Sequence, residues 1–352
     1  MNEYSTVWGL DLGDKRSVFC RLDEHGKVVE RGKVATSSAA MWRKFEGAAP
    51  CRIVVEAGGQ SWWVSRLLEG CGHEVVVANP RQVRLISAST RKSDAVDAET
   101  LARLGRVDPT LLHPIEHRGE AAQTHLAVLR ARDAAVGGRT ALINSVRGLA
   151  KSFGIRLPKC SAPAFHKKVA EEIPEALRPA LMPLLEAIGM LTEQIRTYAA
   201  EIERLASEAY PETEMLRSVP GVGPITALAF VLTLDVPERF ARSRDVPAYL
   251  GLVPRRSQSG EQDPHLRITK TGNALVRRLL VQCAHYILGP HGPDTQLRRW
   301  GLQLAGGGTS KRAKRRAIVA VARKLGVLLH RLWVTGEVYE PFPDGLDKAE
   351  AA

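Results

Sequence analysis

The first eighty residues alternate between short apolar runs and polar connections, a pattern typical of strands and helices in turn. Five runs rich in apolar and β-branched residues predict strands, and helical patterns at 39–45 and 62–68 separate the later ones. The tight connection Glu24-His25-Gly26 predicts a hairpin between the second and third strands. The predicted strands cover residues 6–11, 17–22, 27–34, 52–56 and 74–78.

This order of elements predicts a mixed sheet covered by helices. Three consecutive strands followed by alternating helix and strand is the order of the ribonuclease H-like fold. Doubly wound sheets bind their ligands at the carboxyl ends of strands. Asp11 and Glu56 end two of the predicted strands, so we expect a functional site at that end of the sheet.

The middle of the chain has the pattern of two long helices, at 120–153 and 181–206, with a proline-containing break between them. The apolar positions of the second helix are alternately four and three residues apart, which is a heptad pattern. An antiparallel hairpin within the chain and a coiled coil between chains fit this pattern equally. The heptad positions are Leu184, Ile188, Leu191, Ile195, Tyr198, Ile202 and Leu205.

The last third predicts a compact, basic, helical domain. It follows Tyr210-Pro211 and ends with a basic amphipathic helix at 311–332, and the acidic tail is expected to be disordered. The fold class is therefore α/β plus all-α: a mixed sheet domain, a helical coiled-coil linker and a helical C-terminal domain. The predicted boundaries are 1–118, 119–210, 211–338 and 339–352.

The net charge narrows the choice of partner. The chain has 50 lysines and arginines against 38 acidic residues, a net charge of +12, which favours a polyanion. No apolar stretch is long enough to span a bilayer and no lipidation signal is present, so we expect nucleic acid and no membrane. Five scattered cysteines without a CxxC pair fit reduced cytoplasmic thiols and argue against disulfides or a zinc site.

Four acidic residues are the strongest candidates for a catalytic centre. Besides the strand-end Asp11 and Glu56, Asp94 and Asp97 lie three residues apart at the start of a helical pattern and share a face. Carboxylates gathered at buried strand ends repel one another unless cations lie between them. Two Mg²⁺ ions would balance the four charges and stabilise the attacking and leaving oxygens of a phosphodiester exchange. Each acid also has a simpler explanation. Asp94 and Asp97 could be first-turn residues that favour the helix dipole, and Glu56 could be a solvated acid in a loop.

Two further motifs lie in the C-terminal domain. The turn at 218–224 resembles the phosphate-binding turn of helix-hairpin-helix motifs, because Gly221 and Gly223 expose backbone amides, although such a turn needs no ligand. The loop at 257–260 contains two serines. No His–Asp pairing is recognisable near it, so a nucleophilic serine there would need a metal for activation.

Basic residues surround the serine-containing loop and cover one face of the last helix. The apolar residues of that helix occupy the other face, so the charges point outward. A solvated charged face is the usual explanation, but the excess is almost entirely positive and favours phosphate contact. The candidates for nucleic-acid contact are Arg255, Arg256, Lys270, Arg277, Lys311, Arg312 and Arg315.

These motifs together resemble the DEDD transposases of bacterial insertion sequences, the insertion-sequence one-hundred-and-ten family of bridge-RNA-guided serine recombinases. The similarity extends over nearly the whole chain, from VWGLDLGD and KSDAVDAETLARL to SVPGVGPITA and GLVPRRSQSG. It implies a RuvC-like domain, a coiled-coil linker and a C-terminal transposase domain. By the same resemblance the acidic tetrad is Asp11, Glu56, Asp94 and Asp97, and the nucleophile is Ser259.

The resemblance also implies a mechanism and partners. Ser259, with Ser257 as the alternative, would attack a DNA phosphodiester in a Mg²⁺-dependent reaction, and a structured guide RNA would pair with donor and target DNA. A homo-oligomer, dimer or tetramer, is expected to act in the bacterial cytoplasm and at the nucleoid. The sequence departs from the family pattern at Glu261-Gln262-Asp263, where the family often has Gly-Lys, so local phosphate contacts are expected to differ.

Two other functions remain open. The first is a RuvC-like nuclease in which a metal activates water and the serine loop only contacts DNA. The second is a non-catalytic DNA-binding regulator or invertase accessory protein, although a protein that only binds has no need for four converging acids.

Overall fold

The structure, a computed structural model, describes residues 4, 6–81, 93–259, 264, 266–306 and 310–342. The chain forms two compact units, Met1–His117 and Arg118–Ala352. Within the described residues, no helix combines the length and the apolar composition needed to cross a membrane.

The first unit contains a five-stranded sheet of order β3-β2-β1-β4-β5. β2 is antiparallel to β1 and β3, whereas β1–β4 and β4–β5 are parallel pairs. The predicted mixed sheet is therefore confirmed, and the parallel strands that end in carboxylates are adjacent. The strands are β1 Val7–Asp11, β2 Arg16–Leu22, β3 Val28–Ala35, β4 Arg52–Glu56 and β5 Glu74–Ala78.

Helices cover both faces of this sheet. α1 (Ser38–Phe45) and α2 (Ser61–Gly70) pack on one face, where Leu10 and Val55 belong to their shared core. α3 (Asp94–Val107) packs on the other face, which is the face of Val7, Val54 and Ala78. Because side chains alternate along a strand, each strand of the central pair contributes to two separate cores.

The second unit begins with a long helical hairpin. α4 (Glu120–Ser152) and α6 (Arg178–Glu208) are joined through the short α5 (Phe165–Ala170). The two long helices run antiparallel, since Leu126 packs in one core with Leu205 and Val146 packs in another with Leu185. The hairpin within the chain is therefore confirmed, and a coiled coil between chains stays a prediction.

The buried face of α6 differs from the predicted heptad pattern. Leu184, Leu191 and Tyr198 are only half-buried, because α4 and α5 both pack against α6 and widen its buried face beyond a heptad stripe. The buried residues are Leu181, Leu185, Ile188, Thr192, Ile195, Ile202, Leu205 and Ala206.

The rest of the second unit is a compact helical assembly around α8. Every residue of α8 from Thr226 to Leu234 is buried, and α4, α6 and α10 surround it. Leu126 and Ile202, from the base of the hairpin, belong to the same core. The base of the hairpin, within residues 119–210 that were expected as a linker, therefore shares a core with the C-terminal helices, whereas its far end has a core of its own. The helices are α7 Glu212–Arg217, α8 Pro224–Leu234, α9 Val246–Tyr249, α10 Ala274–Leu288, α11 Gln296–Leu304 and α12 Lys311–Thr335.

The segment after α12 corrects one further expectation. Disorder was expected from residue 339, but the amide of Tyr339 donates to Ser218 Oγ at 3.1 Å. The carbonyl oxygen of Pro341 accepts a hydrogen bond from the amide of Gln296 at 3.0 Å. Residues 339–342 are therefore held against the helices, and 343–352 lie outside the described residues.

Candidate functional site

Asp11 and Glu56 lie side by side at the carboxyl end of the sheet. Leu10 is paired with Val55 in the parallel register of β1 and β4, and the two acids are the next residues on each strand. Residues in register point to the same face, as do residues two apart on a strand. Both carboxylates therefore belong to the face of Gly9, which is covered by α3. Both acidic residues are half-buried.

Helix α3 has its first turn toward these two carboxylates. A Cβ atom at Gly9 would lie 1.9 Å from the carbonyl oxygen of Ala98, so strand and helix touch through their backbones. Further along, a Cβ atom at Gly105 would lie 3.7 Å from a methyl group of Val7. The helix thus runs antiparallel to β1, and its N-terminal end lies at the end of the sheet where Asp11 is found.

Asp97 is the buried member of the acidic set. Its exposed fraction is 7%, and its Oδ1 atom has no hydrogen-bond partner among the described residues. Leaving a buried charged oxygen unpaired costs at least about 1–3 kcal/mol. Asp94, one turn earlier, is exposed, and the Ser93 hydroxyl caps the helix by accepting from the amide of Val96. The cap explains why the helix starts at this position, but it does not explain why the carboxylate of Asp97 is buried.

The four carboxylates belong to one end of the first unit without forming a closed ligand cage. In the part of the chain that is described, no three His, Cys, Asp or Glu side chains are arranged to hold a metal ion. The donor chemistry still fits a hard divalent cation, because every candidate offers carboxylate oxygens and one of these is buried without a partner. Asp11, Glu56 and Asp97 are the residues that would hold such an ion, with Asp94 on the exposed side.

The loops after β1 and β4 are fixed by residues that sequence reasoning missed. The Gln60 side-chain amide donates to the carbonyl oxygens of Gly13 at 3.3 Å and Asp14 at 3.1 Å. The Ser61 hydroxyl donates to the carbonyl oxygen of Gly58 at 2.9 Å and accepts from its amide at 3.0 Å. These bonds hold both loops just beyond the two strand-end carboxylates. A glutamine before a helix has no distinctive sequence signal.

In the second unit, the described residues 252–259 and 266–269 form the two arms of a loop, here called the serine loop. Its two arms pair as a short antiparallel ladder: Pro254 bridges Ile268, and the amide of Arg255 donates to the carbonyl oxygen of Arg267 at 2.9 Å. Residues 255–259 are exposed, including Ser259. The hydroxyl of the candidate nucleophile therefore lies on the surface of the second unit. Glu261-Gln262-Asp263, where the sequence departs from the family pattern, lies outside the described residues.

The glycine-rich turn connects α7 and α8. Gly221 has φ +84°, and a Cβ atom there would lie 2.8 Å from the ring of Tyr286, so the backbone itself requires glycine. Gly223 is the N-cap residue of α8 and has open space around its Cα. The turn between two helices is confirmed, and phosphate binding by it stays a prediction.

The predicted basic contacts fall into two groups. Lys311, Arg312 and Arg315 are exposed in the first turns of α12, where no acidic residue accompanies them. Cations are unfavourable at this positive end of the helix dipole, so an anionic partner would stabilise them. The second group comprises Arg255, Arg256 and Lys270, which are exposed in the serine loop and at its base.

Arg277 differs from the other predicted contacts. It is half-buried, and its Nη1 donates to the carbonyl oxygens of Leu250 at 2.9 Å and Thr271 at 2.8 Å. The guanidinium is therefore engaged at the base of the serine loop, which charge patterning alone did not indicate.

Family profiles match both units. A profile described as DEDD transposase, of IS110 type, matches residues 8–154, and one described as "Transposase IS116/IS110/IS902 family" matches residues 213–297. The first contains all four candidate carboxylates, and the second contains the glycine-rich turn and the serine loop.

Curated relatives align along most of their length. A transposase for insertion sequence element IS1328 of Yersinia enterocolitica is 30% identical over 79% of this chain and 83% of its own. A transposase for element IS1111A of Coxiella burnetii is 29% identical over 95% of this chain and 91% of its own. A probable family 20 transposase of Pseudomonas aeruginosa is 29% identical over 95% of this chain and 98% of its own length. With two matching profiles and relatives of this coverage, the chain belongs to the IS110/IS116 family of DEDD transposases.

Proposed function

We propose that this transposase cleaves and rejoins DNA with Ser259 as nucleophile and Mg²⁺ bound by Asp11, Glu56, Asp94 and Asp97. The observation that carries the proposal is the buried Oδ1 of Asp97, which has no hydrogen-bond partner in the part of the chain that is described. Asp97 lies in the first turn of the helix whose N-terminal end is at the ends of β1 and β4. Such a carboxylate lowers the stability of the fold unless a cation compensates it. A metal-dependent reaction gives a reason to retain it.

The rearrangement of bonds is a simple exchange at phosphorus. Ser259 Oγ forms a bond to phosphorus as the bond to the leaving DNA oxygen breaks; a base removes the hydroxyl proton and the leaving oxygen gains one. Mg²⁺ bound at the acidic set would favour the ionised hydroxyl and stabilise the charge on the leaving oxygen. The resulting phosphoserine ester conserves the bond, so a DNA hydroxyl of another strand displaces the serine without an external energy source.

The charge distribution supports nucleic-acid partners. The cations at the start of α12 lie at the positive end of the helix dipole, where they are electrostatically unfavourable. Bound phosphate groups would offset this repulsion. We propose that donor and target DNA bind here together with a structured guide RNA, whose base pairing supplies specificity while the protein binds the backbones. Two strands must be cut in concert, so we propose that the active form is a homo-oligomer, a dimer or a tetramer.

A suicide DNA substrate tests the nucleophile. With a nick beside the cleavage site, religation is prevented and a covalent protein–DNA adduct accumulates on a denaturing gel. We expect the adduct on the peptide that contains Ser259, none with Ser259→Ala, and a retained adduct with the matched control Ser257→Ala. Cleavage at the normal rate by Ser259→Ala, without adduct, would instead indicate a nuclease that uses activated water.

The acidic set and the guide are tested separately. Asp11→Ala is expected to abolish recombination in cells, and unchanged recombination would favour the non-catalytic accessory protein. Sequencing of the RNA that copurifies with the protein is expected to give one short, defined species. A random mixture of cellular RNA would contradict the guide but leave the serine mechanism in place.

A further inference from the structure

The serine loop is closed at its base by two backbone segments, 249–251 and 270–272, here called the loop neck. A Cβ atom at Gly251 would lie 2.2 Å from the carbonyl oxygen of Thr271, and one at Gly272 would lie 1.9 Å from that of Tyr249. Both glycines have positive φ, +70° and +74°. The two segments therefore cross in direct backbone contact, which only glycine permits at these positions.

The neck is anchored on its core side. Leu250 and Leu252 are fully buried in the main core of the second unit. The amide of Lys270 donates to the carbonyl oxygen of Gly251 at 3.1 Å, and that of Thr269 to Val253 at 2.9 Å. The backbone at the neck is therefore fixed, and the exposed end of the serine loop extends from it.

Arg277 joins the two segments of the neck to α10. One nitrogen, Nη1, donates to the carbonyl oxygen of Leu250 in the first segment and to that of Thr271 in the second. Asn273 caps the same helix and donates to Thr233 Oγ1 of the buried α8 at 3.0 Å. The planar guanidinium is suited to such a bridge, whereas a lysine ammonium on a flexible stem holds its acceptors less rigidly.

We propose that Arg277 is a positioning residue that fixes the serine loop on α10 and thereby sets the place of Ser259, and that it is not a phosphate contact. This proposal rests on the proposed role of Ser259 as nucleophile. A displacement of about 1 Å at a reacting group can lower a rate by about 100-fold, so a loosened neck would affect the chemical step without weakening DNA binding.

The test compares Arg277→Lys and Arg277→Gln with Arg298→Lys in the full chain. Arg298 is a matched control, because its Nη1 also donates to two carbonyl oxygens, those of Ile287 and Gly289, at the far end of the same helix. Three quantities are measured: the single-turnover cleavage rate at saturating nicked DNA, the salt dependence of DNA affinity, and hydrogen exchange at the amides of Arg255 and Thr269.

Both Arg277 variants are expected to lower the rate by about 100-fold, to speed exchange at the two amides, and to keep the affinity and its salt slope. Arg298→Lys is expected to leave the cleavage rate unchanged and hydrogen exchange at the two amides as slow as in the wild type. A normal rate with Arg277→Lys would overturn the proposal. So would a salt slope reduced by about 0.9 in Arg277→Gln with unchanged exchange, which is the result for a phosphate contact.

Failure of the underlying function has a different signature. If Ser259→Ala cleaves normally, Ser259 is not the nucleophile, and the positioning role falls with it. Exchange at the loop amides still reports whether Arg277 holds the neck. Failure of the positioning role alone gives an inactive Ser259→Ala together with a fully active Arg277→Lys.

Discussion

Gly9 of β1 and Ala98 of α3 touch through their backbones, such that a Cβ atom at residue 9 would lie 1.9 Å from the Ala98 carbonyl oxygen. Asp11 follows Gly9 by two residues, and Asp97 directly precedes Ala98. The close approach of strand and helix therefore sets the relative positions of two candidate metal ligands. The distance between the carboxylates of Asp11 and Asp97 therefore depends on how closely α3 packs against β1.

Gly9→Ala is expected to separate α3 from the sheet. The added methyl group cannot be accommodated beside backbone atoms, and overpacking of this kind costs on the order of 3 kcal/mol. Thermal unfolding and DNA cleavage should both show the loss. Gly70→Ala is the control, since nothing lies within 4 Å of a Cβ atom there; if both variants unfold alike, the proposed contact is wrong.

Asp97→Asn is expected to have opposite effects with and without Mg²⁺. In a chelator, replacing a buried carboxylate whose Oδ1 has no hydrogen-bond partner among the described residues should raise the unfolding temperature, because a neutral amide loses less solvation on burial. Mg²⁺ should stabilise the wild-type chain by binding only the folded state and leave the variant unchanged. Glu99→Gln, on the same helix, should keep the Mg²⁺ response. Equal Mg²⁺ stabilisation of wild type and Asp97→Asn would contradict the assignment.

Glu99 gives a pH dependence of stability. Hydrogen bonds from Arg103 and Arg31 hold the pKa of its carboxyl below the ordinary value, against the opposing effect of burial. A depressed pKa in the folded state means that the stabilisation is complete above the unfolded-state pKa and is lost as the pH falls through the folded value. We expect wild type to exceed Glu99→Gln in unfolding free energy by up to about 1 kcal/mol at neutral pH. The difference should vanish in acid, and a difference that grows in acid would contradict the assignment.

The cations of α12 are expected to control the salt dependence of DNA binding. Replacing Lys311, Arg312 and Arg315 by glutamine should reduce the log–log slope of affinity against salt by about 0.9 for each DNA phosphate that the variant no longer neutralises. Arg204→Gln is the control, because Arg204 is already paired with Glu201 and Glu208 at 2.7 Å each. An unchanged slope in the triple variant would place the DNA elsewhere.

Arg139→Met is expected to stabilise the hairpin. Arg139 is buried, its Nε has no hydrogen-bond partner among the described residues, and its Nη1 reaches Thr192 Oγ1 only at 3.4 Å. Burial disfavours the charged form of this guanidinium and lowers its pKa. An apolar side chain of similar length should add about 1–3 kcal/mol to the unfolding free energy. Arg196→Met, at an exposed position paired with Glu193, should change it little.

The secondary structure was largely predictable from the sequence. Strand alternation and turn residues located all five strands, and the apolar stripe of 120–153 agrees with α4 at Glu120–Ser152. These patterns are local, and each follows from the side chains of one element. The heptad pattern of α6 was less informative, because it indicated one packing partner, whereas α4, α5 and α8 all pack against this helix.

The candidate site was predictable only as a set of residue types. Spacing placed Asp94 and Asp97 on one helix face, but it could not show that the second is buried and the first exposed. Charge likewise could not separate Arg277, which donates to two carbonyl oxygens, from the exposed Arg255. Both distinctions depend on contacts between residues far apart in sequence.

The glycine-closed neck at residues 249–251 and 270–272 has an evolutionary consequence. The described contacts that hold the two ends are backbone contacts and the hydrogen bonds of Arg277. Substitution of the exposed side chains of Arg255 or Gln258 should therefore change stability little. We therefore expect related chains to differ at such exposed positions of the loop while they retain both glycines of the neck.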